Sequence, residues 1–193
     1  MHTRRNLIAV ALCSALLASC GPPPMTPNYP DIRFNQTQPF TLNARQIEIR
    51  TLYIPTDTDR AYPVPPVQAL QNWGRDRLRA NGSGTPARFT IGKATALIRD
   101  LPIQDGFKAN FTDQVSQQYD IAVDATIEIL DDHGLAARTV HVTANRSRTA
   151  LQSATPVQRE QIRYEMVRDL MADFDRQAET QLRNNFGTYL LSR

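Results

Sequence analysis

The sequence predicts an α+β protein: a two-layer sandwich in which an antiparallel sheet with a long hairpin is covered by a long C-terminal helix. Two observations carry this prediction. Apolar and polar residues alternate from Tyr119 to Leu130, as in a strand with one buried face. Apolar residues recur at every fourth position from Ile162 to Leu182, as along one side of a helix. The expected element order is β-α-β-β-β-α.

Two strands are predicted before the hairpin. The first covers residues 45–54, where Ile47 and Ile49 alternate with polar residues. The second covers residues 87–101, and its apolar residues change parity near Gly92. A bulge of one residue at Gly92–Lys93 would keep both halves of this strand on the same face of the sheet.

A helix is predicted between these strands, from Pro66 to about Ala80. Proline suits the first turn of a helix because its missing N–H is not needed there. Gly74 lies within the apolar stripe of this helix, where glycine costs about 1 kcal/mol relative to alanine. Its presence indicates close packing against a neighbour. The run Asn81–Gly84 is expected to end the helix.

The hairpin consists of the strand Tyr119–Leu130, a turn at Asp131–Gly134 and a return strand to about Thr149. Val140 and Val142 line one face of the return strand. This pairing of two adjacent strands is the most secure tertiary contact that the sequence predicts.

The last helix is predicted to begin after Thr155 and to end near Gly187. Pro156 follows at the first position, and Gln158 stands three residues after Thr155, which together form a capping-box pattern. A helix of about 30 residues is roughly 45 Å long. Its apolar stripe is expected to cover the buried face of the hairpin.

The N-terminus carries an export signal. Arg4 and Arg5 precede a mainly apolar, uncharged run over Leu7–Ala18, which is too short for a membrane-spanning helix and suits a signal peptide. The run leads into Leu17-Ala18-Ser19-Cys20, which resembles the lipobox of bacterial lipoproteins. A plain signal peptide or an N-terminal membrane helix with an incidental cysteine is the alternative.

The lipobox resemblance implies that the Cys20 thiol carries diacylglycerol, that the chain is cut after Ser19, and that the new amine is acylated. Several acyl chains would anchor the protein firmly. Gly21 stands where an aspartate favours inner-membrane retention in lipoproteins of enteric-type bacteria, so the resemblance implies the periplasmic face of the outer membrane. Residues Thr3–Ile8 also resemble a twin-arginine export motif, and either export route fits.

Three segments follow from this interpretation: a signal peptide at 1–19, a lipidated cysteine with a proline-rich tether at 20–44, and a periplasm-facing domain at 45–193. Residues 1–19 contain two arginines and no acidic residue, so cleavage lowers the net charge from +3 to +1. So small a charge gives no reason to expect nucleic acid as a partner. Cleavage removes Cys13 and lipid consumes Cys20, which leaves no cysteine for a disulfide or a metal.

The sequence contains no motif of a nucleophilic, zinc-dependent or nucleotide-binding enzyme, and we expect no cofactor and no catalytic residue. His133 and His141 are the histidines left after cleavage. Asp131, Asp132 and His133 could bind a metal loosely, but Asp-Asp-His-Gly is also typical of a turn. We therefore predict no metal site.

Two groups of charged residues remain to be placed, one in the return strand and one in the last helix. Arg138, Arg146 and Arg148 share the parity of the buried valines in the return strand, so a regular strand would place them beyond the edge of the core. There they could protect a sheet edge, or bind an acidic partner or a lipid headgroup. Asp173 and Asp175 are expected on the solvated face of the last helix.

Residues 102–117 carry no firm secondary-structure pattern, and a connection of that length inside a small domain is often a binding loop. Phe107 and Phe111 are its candidate partner-binding residues. A short helix folded on the core, or an extension of the next strand, is the alternative.

Beyond the lipobox, the layout of tether, small α+β domain and long last helix is similar to auxiliary and assembly lipoproteins of lipopolysaccharide transport and of ABC-type lipid transport. This resemblance implies a non-enzymatic component of an envelope transport machine, with the membrane and an envelope protein as partners. The alternative is a lipid-anchored hydrolase or a small-ligand-binding protein.

Overall fold

A computed structural model describes residues 27–103 and 113–191. The α+β class is confirmed. The elements are β1 (Phe40–Thr51), α1 (Asp57–Arg60), α2 (Pro66–Arg77), β2 (Leu78–Asp100), β3 (Val115–Leu130), β4 (Ala136–Leu151) and α3 (Pro156–Phe186), followed by a 3-10 turn at Gly187–Tyr189. Within these two ranges, no helix combines the length and the apolar character needed to cross a bilayer.

The four strands form one sheet in the order β1-β2-β3-β4. β2 pairs antiparallel with β3, and β3 with β4, but β1 and β2 are parallel. The sheet is therefore mixed: the predicted antiparallel pairing holds for β2, β3 and β4, whereas β1 is parallel to β2. The reason is that α1 and α2 carry the chain back between β1 and β2, so both strands start from the same end.

The core lies between one face of the sheet and the layer formed by α2 and α3. α3 packs chiefly against β4, and α2 against β2. The predicted hairpin and helix stripe are both confirmed. The buried side chains of β3 and α3 are Tyr119, Ile121, Val123, Ala125, Ile127, Ile129, Leu130, Met166, Val167, Leu170, Met171, Phe174, Ala178, Leu182 and Phe186.

Two local predictions about glycine and bulges are confirmed. An added Cβ on Gly74 would stand 2.7 Å and 2.9 Å from two ring carbons of Phe89, so α2 and β2 are in closer contact than any other residue would allow. The pairing of β2 with β3 shifts register between Ile91 and Lys93, where the change of parity predicted a bulge.

The end of α2 was predicted wrongly. The helix stops at Arg77, and β2 begins at once with Leu78 and runs through the Asn-Gly-Ser-Gly segment. Ala80 lies opposite Leu42 and Thr85 opposite Ala44, so residues 81–84 form a wide bulge inside the strand. The side chain of Asn81 accepts a hydrogen bond from the backbone N–H of Ala44 at 3.1 Å, which replaces the missing strand pairing.

β1 begins at Phe40, five residues before the predicted start. The first half of β1 has alternate residues buried: Phe40, Leu42 and Ala44. Ile32, eight residues before β1, is also buried. These four residues lie in the segment predicted as the tether. The end of the chain covers part of the outer edge of β1, since the N–H of Leu191 donates to the carbonyl of Thr41 at 2.9 Å.

Candidate functional site

Three of the candidate residues lie outside the described part of the chain. Cys20, with the rest of Leu17–Cys20, precedes residue 27, and Phe107 and Phe111 fall between the two described ranges. Lipidation and partner binding at these positions therefore stay predictions.

The Asp131–Gly134 segment forms the predicted turn. One Asp131 carboxylate oxygen accepts hydrogen bonds from the N–H groups of His133 and Leu135, at 2.9 and 2.8 Å, and Gly134 has a φ of 80°. His141 lies on the outward face of the sheet, with Nε2 3.3 Å from Oδ2 of Asp124. Residues 27–103 and 113–191 contain no cluster of three or more His, Cys, Asp or Glu side chains that could hold a metal.

The prediction for Arg146 and Arg148 was wrong. Neither side chain lies beyond the core edge, because α3 runs beneath β4 and presents carboxylates to them. Arg146 donates through Nε and Nη2 to Asp173, at 2.9 and 2.5 Å. Arg148 donates to Asp169 at 3.0 Å and to Glu165 at 3.2 Å. Arg138 is exposed. Arg146 and Arg148 instead join β4 to α3 through these hydrogen bonds.

The prediction of a solvated Asp175 was also wrong. Its side chain is only 17% exposed, and one oxygen accepts from Trp73 Nε1 and from Arg77 Nε, both at 2.7 Å. Arg77 is 1% exposed, and its guanidinium lies 4.2 Å from the centre of the Phe40 ring. The only signal for this contact in the sequence was the i, i+4 spacing of Trp73 and Arg77 on α2.

Two further buried carboxylates hold loops to the core. Asp59 is fully buried and accepts hydrogen bonds from the Tyr53 hydroxyl, from the N–H and hydroxyl of Thr56, and from the N–H of Ala96. Burial alone would raise the pKa of Asp59, but these donors outweigh burial and hold the pKa below its ordinary value. Burial, with the neighbouring Asp59 carboxylate, raises the pKa of Tyr53 to about 12.

The second of these carboxylates, Asp76, ties the N-terminal segment to α2. It receives Arg33 Nε and Nη2 at 2.8 and 2.6 Å and the N–H of Phe34 at 2.9 Å. The hydrogen bond from Arg33 is the main reason that the pKa of Asp76 is lowered. Both carboxylates thus have partners that stabilise the fold, which gives them a structural role.

Exposed apolar side chains converge at one end of the domain, where β2 and β4 end and β3 and α3 begin. Ile103, Val115, Leu151 and Val157 are 41%, 38%, 45% and 51% exposed, and Val115 lies directly opposite Leu151. We call these four residues the apolar end. They come from four separate parts of the chain, so no local sequence pattern could have indicated them.

Arg159 organises the backbone around the apolar end. Its guanidinium donates to Oε1 of Gln117 at 2.6 Å, to Oγ of Ser116 at 3.3 Å, and to the carbonyls of Leu151 and Gln152 at 3.1 and 3.3 Å. One cation therefore holds the start of β3, the end of β4 and the first turn of α3 together.

The N-terminal segment enters the domain beside the apolar end. The Tyr29 hydroxyl lies 3.5 Å from the carbonyl oxygen of Val157, and its ring centre lies 5.2 Å from that of Tyr164. From Tyr29 the chain runs along α2, with Asp31 bound to Gln68 and Arg33 to Asp76. The first described residues of the chain therefore lie beside the apolar end.

Comparison with known proteins gives no family. No protein-family model matches the chain, and no curated protein matches it. Solved structures to which the chain shows some similarity include a minor lipoprotein from Acinetobacter baumannii, with 13% identity and a TM-score of 0.38 over 75% of this chain and 96% of that chain.

Two others are also lipoproteins. The rare lipoprotein B from Shewanella oneidensis has 7% identity and a TM-score of 0.41 over 72% of this chain and 95% of that chain. A lipoprotein B from Nitrosomonas europaea has 15% identity and a TM-score of 0.35 over 77% and 89%. At these values the similarity is a distant one.

Proposed function

We propose that the protein is a lipid-anchored envelope lipoprotein that faces the periplasm and serves, without catalysis, as an auxiliary or assembly component of an envelope transport machine. The observation that carries the proposal is Leu17-Ala18-Ser19-Cys20 directly after a basic and then an apolar segment. Gly21 favours the outer membrane over the inner one as the site of the anchor.

The packing of the N-terminal segment supports a short tether. Ile32 is buried, and Arg33 is bound to Asp76, so the free part of the tether would cover residues 20–31 at most. The domain would start near Ile32 rather than at residue 45. A tether of this length would keep the domain close to the membrane that holds its lipid.

The charged side chains inside the domain serve as structural contacts. Asp59, Asp76, Arg77 and Asp175 each have hydrogen-bond partners that join one element of the fold to another. Such groups stabilise a rigid scaffold, and a rigid scaffold suits an assembly component. Phe107 and Phe111 remain our candidates for contact with a protein partner.

Lipidation is tested by growing cells with an alkyne analogue of palmitate and comparing the wild type with Cys20→Ser and Cys13→Ser. We expect label on the wild type and on Cys13→Ser, because Cys13 lies in the cleaved segment, and none on Cys20→Ser. Equal labelling of all three, or no labelling of the wild type, would contradict the anchor.

The assembly role is tested by crosslinking in cells, followed by purification from membranes and mass spectrometry, with Cys20→Ser as the control. A transport or assembly protein that is captured reproducibly with the lipidated form alone would support the proposal. Loss of that partner in Phe107→Ala/Phe111→Ala would assign the contact to this segment. The same proteins captured with both the wild type and the control would count against the proposal.

A further inference from the structure

We propose that the apolar end, Ile103, Val115, Leu151 and Val157, rests on the lipid headgroup region of the membrane that holds the anchor. This inference rests on the proposed lipid anchor at Cys20. It adds the orientation of the domain relative to the membrane: the apolar end faces the bilayer, and the turn between β3 and β4 points away from it.

The first argument is the reach of the tether. Cys20 and Pro27 are seven positions apart, with six residues between them. A fully extended chain spans at most about 3.6 Å per residue, or roughly 25 Å over these seven steps. α3 has 31 residues and is therefore about 46 Å long. Because Tyr29 lies against Val157 in the first turn of α3, the anchor reaches this end of the helix more easily than the other.

The second argument is the chemistry of the surface. Four exposed apolar side chains lie where four elements of the fold end or begin, whereas the outward face of β3 carries Asp120, Asp124 and Glu128. Exposed apolar groups that cluster on a surface mark a site of contact with a protein or a membrane. A membrane is the occupant favoured here, because the tether ends beside this cluster.

The charges at this end indicate what kind of lipid contact to expect. Arg159 is occupied by the backbone and side chains around it, Asp100 accepts from Gln117, and Asp113 accepts from Ser153. Within residues 27–103 and 113–191, this end therefore offers apolar side chains and no free cluster of cations. We expect contact with zwitterionic lipid, and little dependence of that contact on salt.

The lipid on Cys20 makes a direct test possible, because an introduced cysteine is then the single free thiol of the cleaved protein. Val157→Cys places a fluorophore on the apolar end. Leu135→Cys is the matched control, since Leu135 is also apolar, 67% exposed and lies at the opposite end of the same sheet. Both are reconstituted in phosphatidylcholine vesicles that contain a headgroup spin-labelled lipid.

We expect several-fold stronger quenching at position 157 than at position 135. Equal quenching, or stronger quenching at 135, would overturn the orientation. A third outcome is that lipid does not quench the label at position 157, while its protection from aqueous iodide increases with the density of protein on the vesicle. That result would show that a second copy covers this end, and it would also overturn the orientation.

A further pair of substitutions, Leu151→Ser and Val115→Ser in the labelled Val157→Cys protein, tests whether the apolar side chains contact the lipid or only lie near it. Both side chains are exposed enough for the fold to persist, which circular dichroism checks. We expect quenching to fall at least twofold. Unchanged quenching would mean that the tether alone holds this end near the bilayer, and the proposed apolar contact would be wrong.

A second anchor separates this inference from the proposed function. A hexahistidine tag replaces Cys20 directly before Gly21, and the protein is bound to vesicles with a nickel-chelating lipid. If the native protein carries no lipid, the proposed function is wrong, but the orientation is still open to test on these vesicles. Equal quenching at positions 157 and 135 on the nickel-chelating vesicles would defeat the orientation, even if the native protein is lipidated.

Discussion

Arg77 in α2 donates a hydrogen bond from Nε to Oδ1 of Asp175 in α3 at 2.7 Å, across 98 residues of sequence. The Arg77 side chain is 2% exposed and that of Asp175 is 17% exposed. Trp73 donates to the same carboxylate oxygen. The two helices that cover the sheet are therefore joined by a largely desolvated ion pair as well as by apolar packing.

Asp175→Ala is expected to lower the free energy of unfolding by about 3 kcal/mol, because it removes the near carboxylate of the buried Arg77 guanidinium and leaves the more distant one of Glu179, 3.9 Å away. Urea unfolding of the purified protein measures the change. Arg183→Ala is the control on the same helix: it removes an exposed i, i+4 pair with Glu179 and should cost about 0.5 kcal/mol or less. Equal costs for the two variants would contradict the structural role of Asp175.

Gly84→Ala is expected to destabilise the protein more than Gly82→Ala. Both glycines have a positive φ, 74° and 84°, and alanine is strained at each by about 1 kcal/mol. At Gly84 the added Cβ would also stand 2.5 Å from the carbonyl oxygen of Asn43, whereas Gly82 has open space. Thermal unfolding of the two variants compares them directly, and an equal loss at both positions would mean that the bulge relaxes freely.

Asp59 is expected to make stability dependent on pH in the acid range. Its pKa is lowered in the folded protein, so the stability that it contributes is complete well above the ordinary value of 3.8 and is lost as pH falls from that value through the lower pKa of the folded state. Asp59→Asn should be clearly less stable than the wild type near neutral pH, and the difference should narrow by pH 3. Urea unfolding at pH 7 and pH 3 measures both.

Asp57→Asn, two residues away in α1, is the control for that experiment. Its side chain is fully exposed, so the substitution should change stability little at either pH. A constant difference between the wild type and Asp59→Asn from pH 7 to pH 3 would show that the carboxylate is not the titrating group that stabilises this region.

Thr155→Ala is expected to cost about 1 kcal/mol, since it removes the side chain that caps α3. The Thr155 hydroxyl accepts from the N–H of Gln158 at 3.2 Å, and the Gln158 side chain accepts from the N–H of Thr155 at 2.8 Å. Thr155→Ser keeps the hydroxyl and should restore nearly all of the stability. Thermal unfolding distinguishes the two, and equal losses would argue against the cap.

The elements that sequence reasoning predicted well are those whose signal is local. Alternation over Tyr119–Leu130 and the capping box at Thr155 each reflect residues within a few positions of one another, and both are confirmed. Gly74 also revealed a close contact, because glycine in a helix interior needs a packing reason.

The incorrect predictions concern residues whose partners lie far away in sequence. Asn81–Gly84 was predicted to end α2, because turn residues give no sign of a strand beside them, and β1 supplies that strand. Arg146 and Asp175 looked like surface charges because the sequence does not show that α3 lies beneath β4 and beside α2.

By itself, the sequence determined the place and order of the hairpin and the last helix, and it carries the export and anchor pattern that we propose to be functional. These features depend on periodicity, caps and short motifs, which act between near neighbours. The tertiary structure alone decided the parallel pairing of β1 with β2, the ion pair between Arg77 and Asp175, and the convergence of Val115, Leu151 and Val157 at one end. These features arise when the core closes, because burial then brings together side chains that are tens of residues apart.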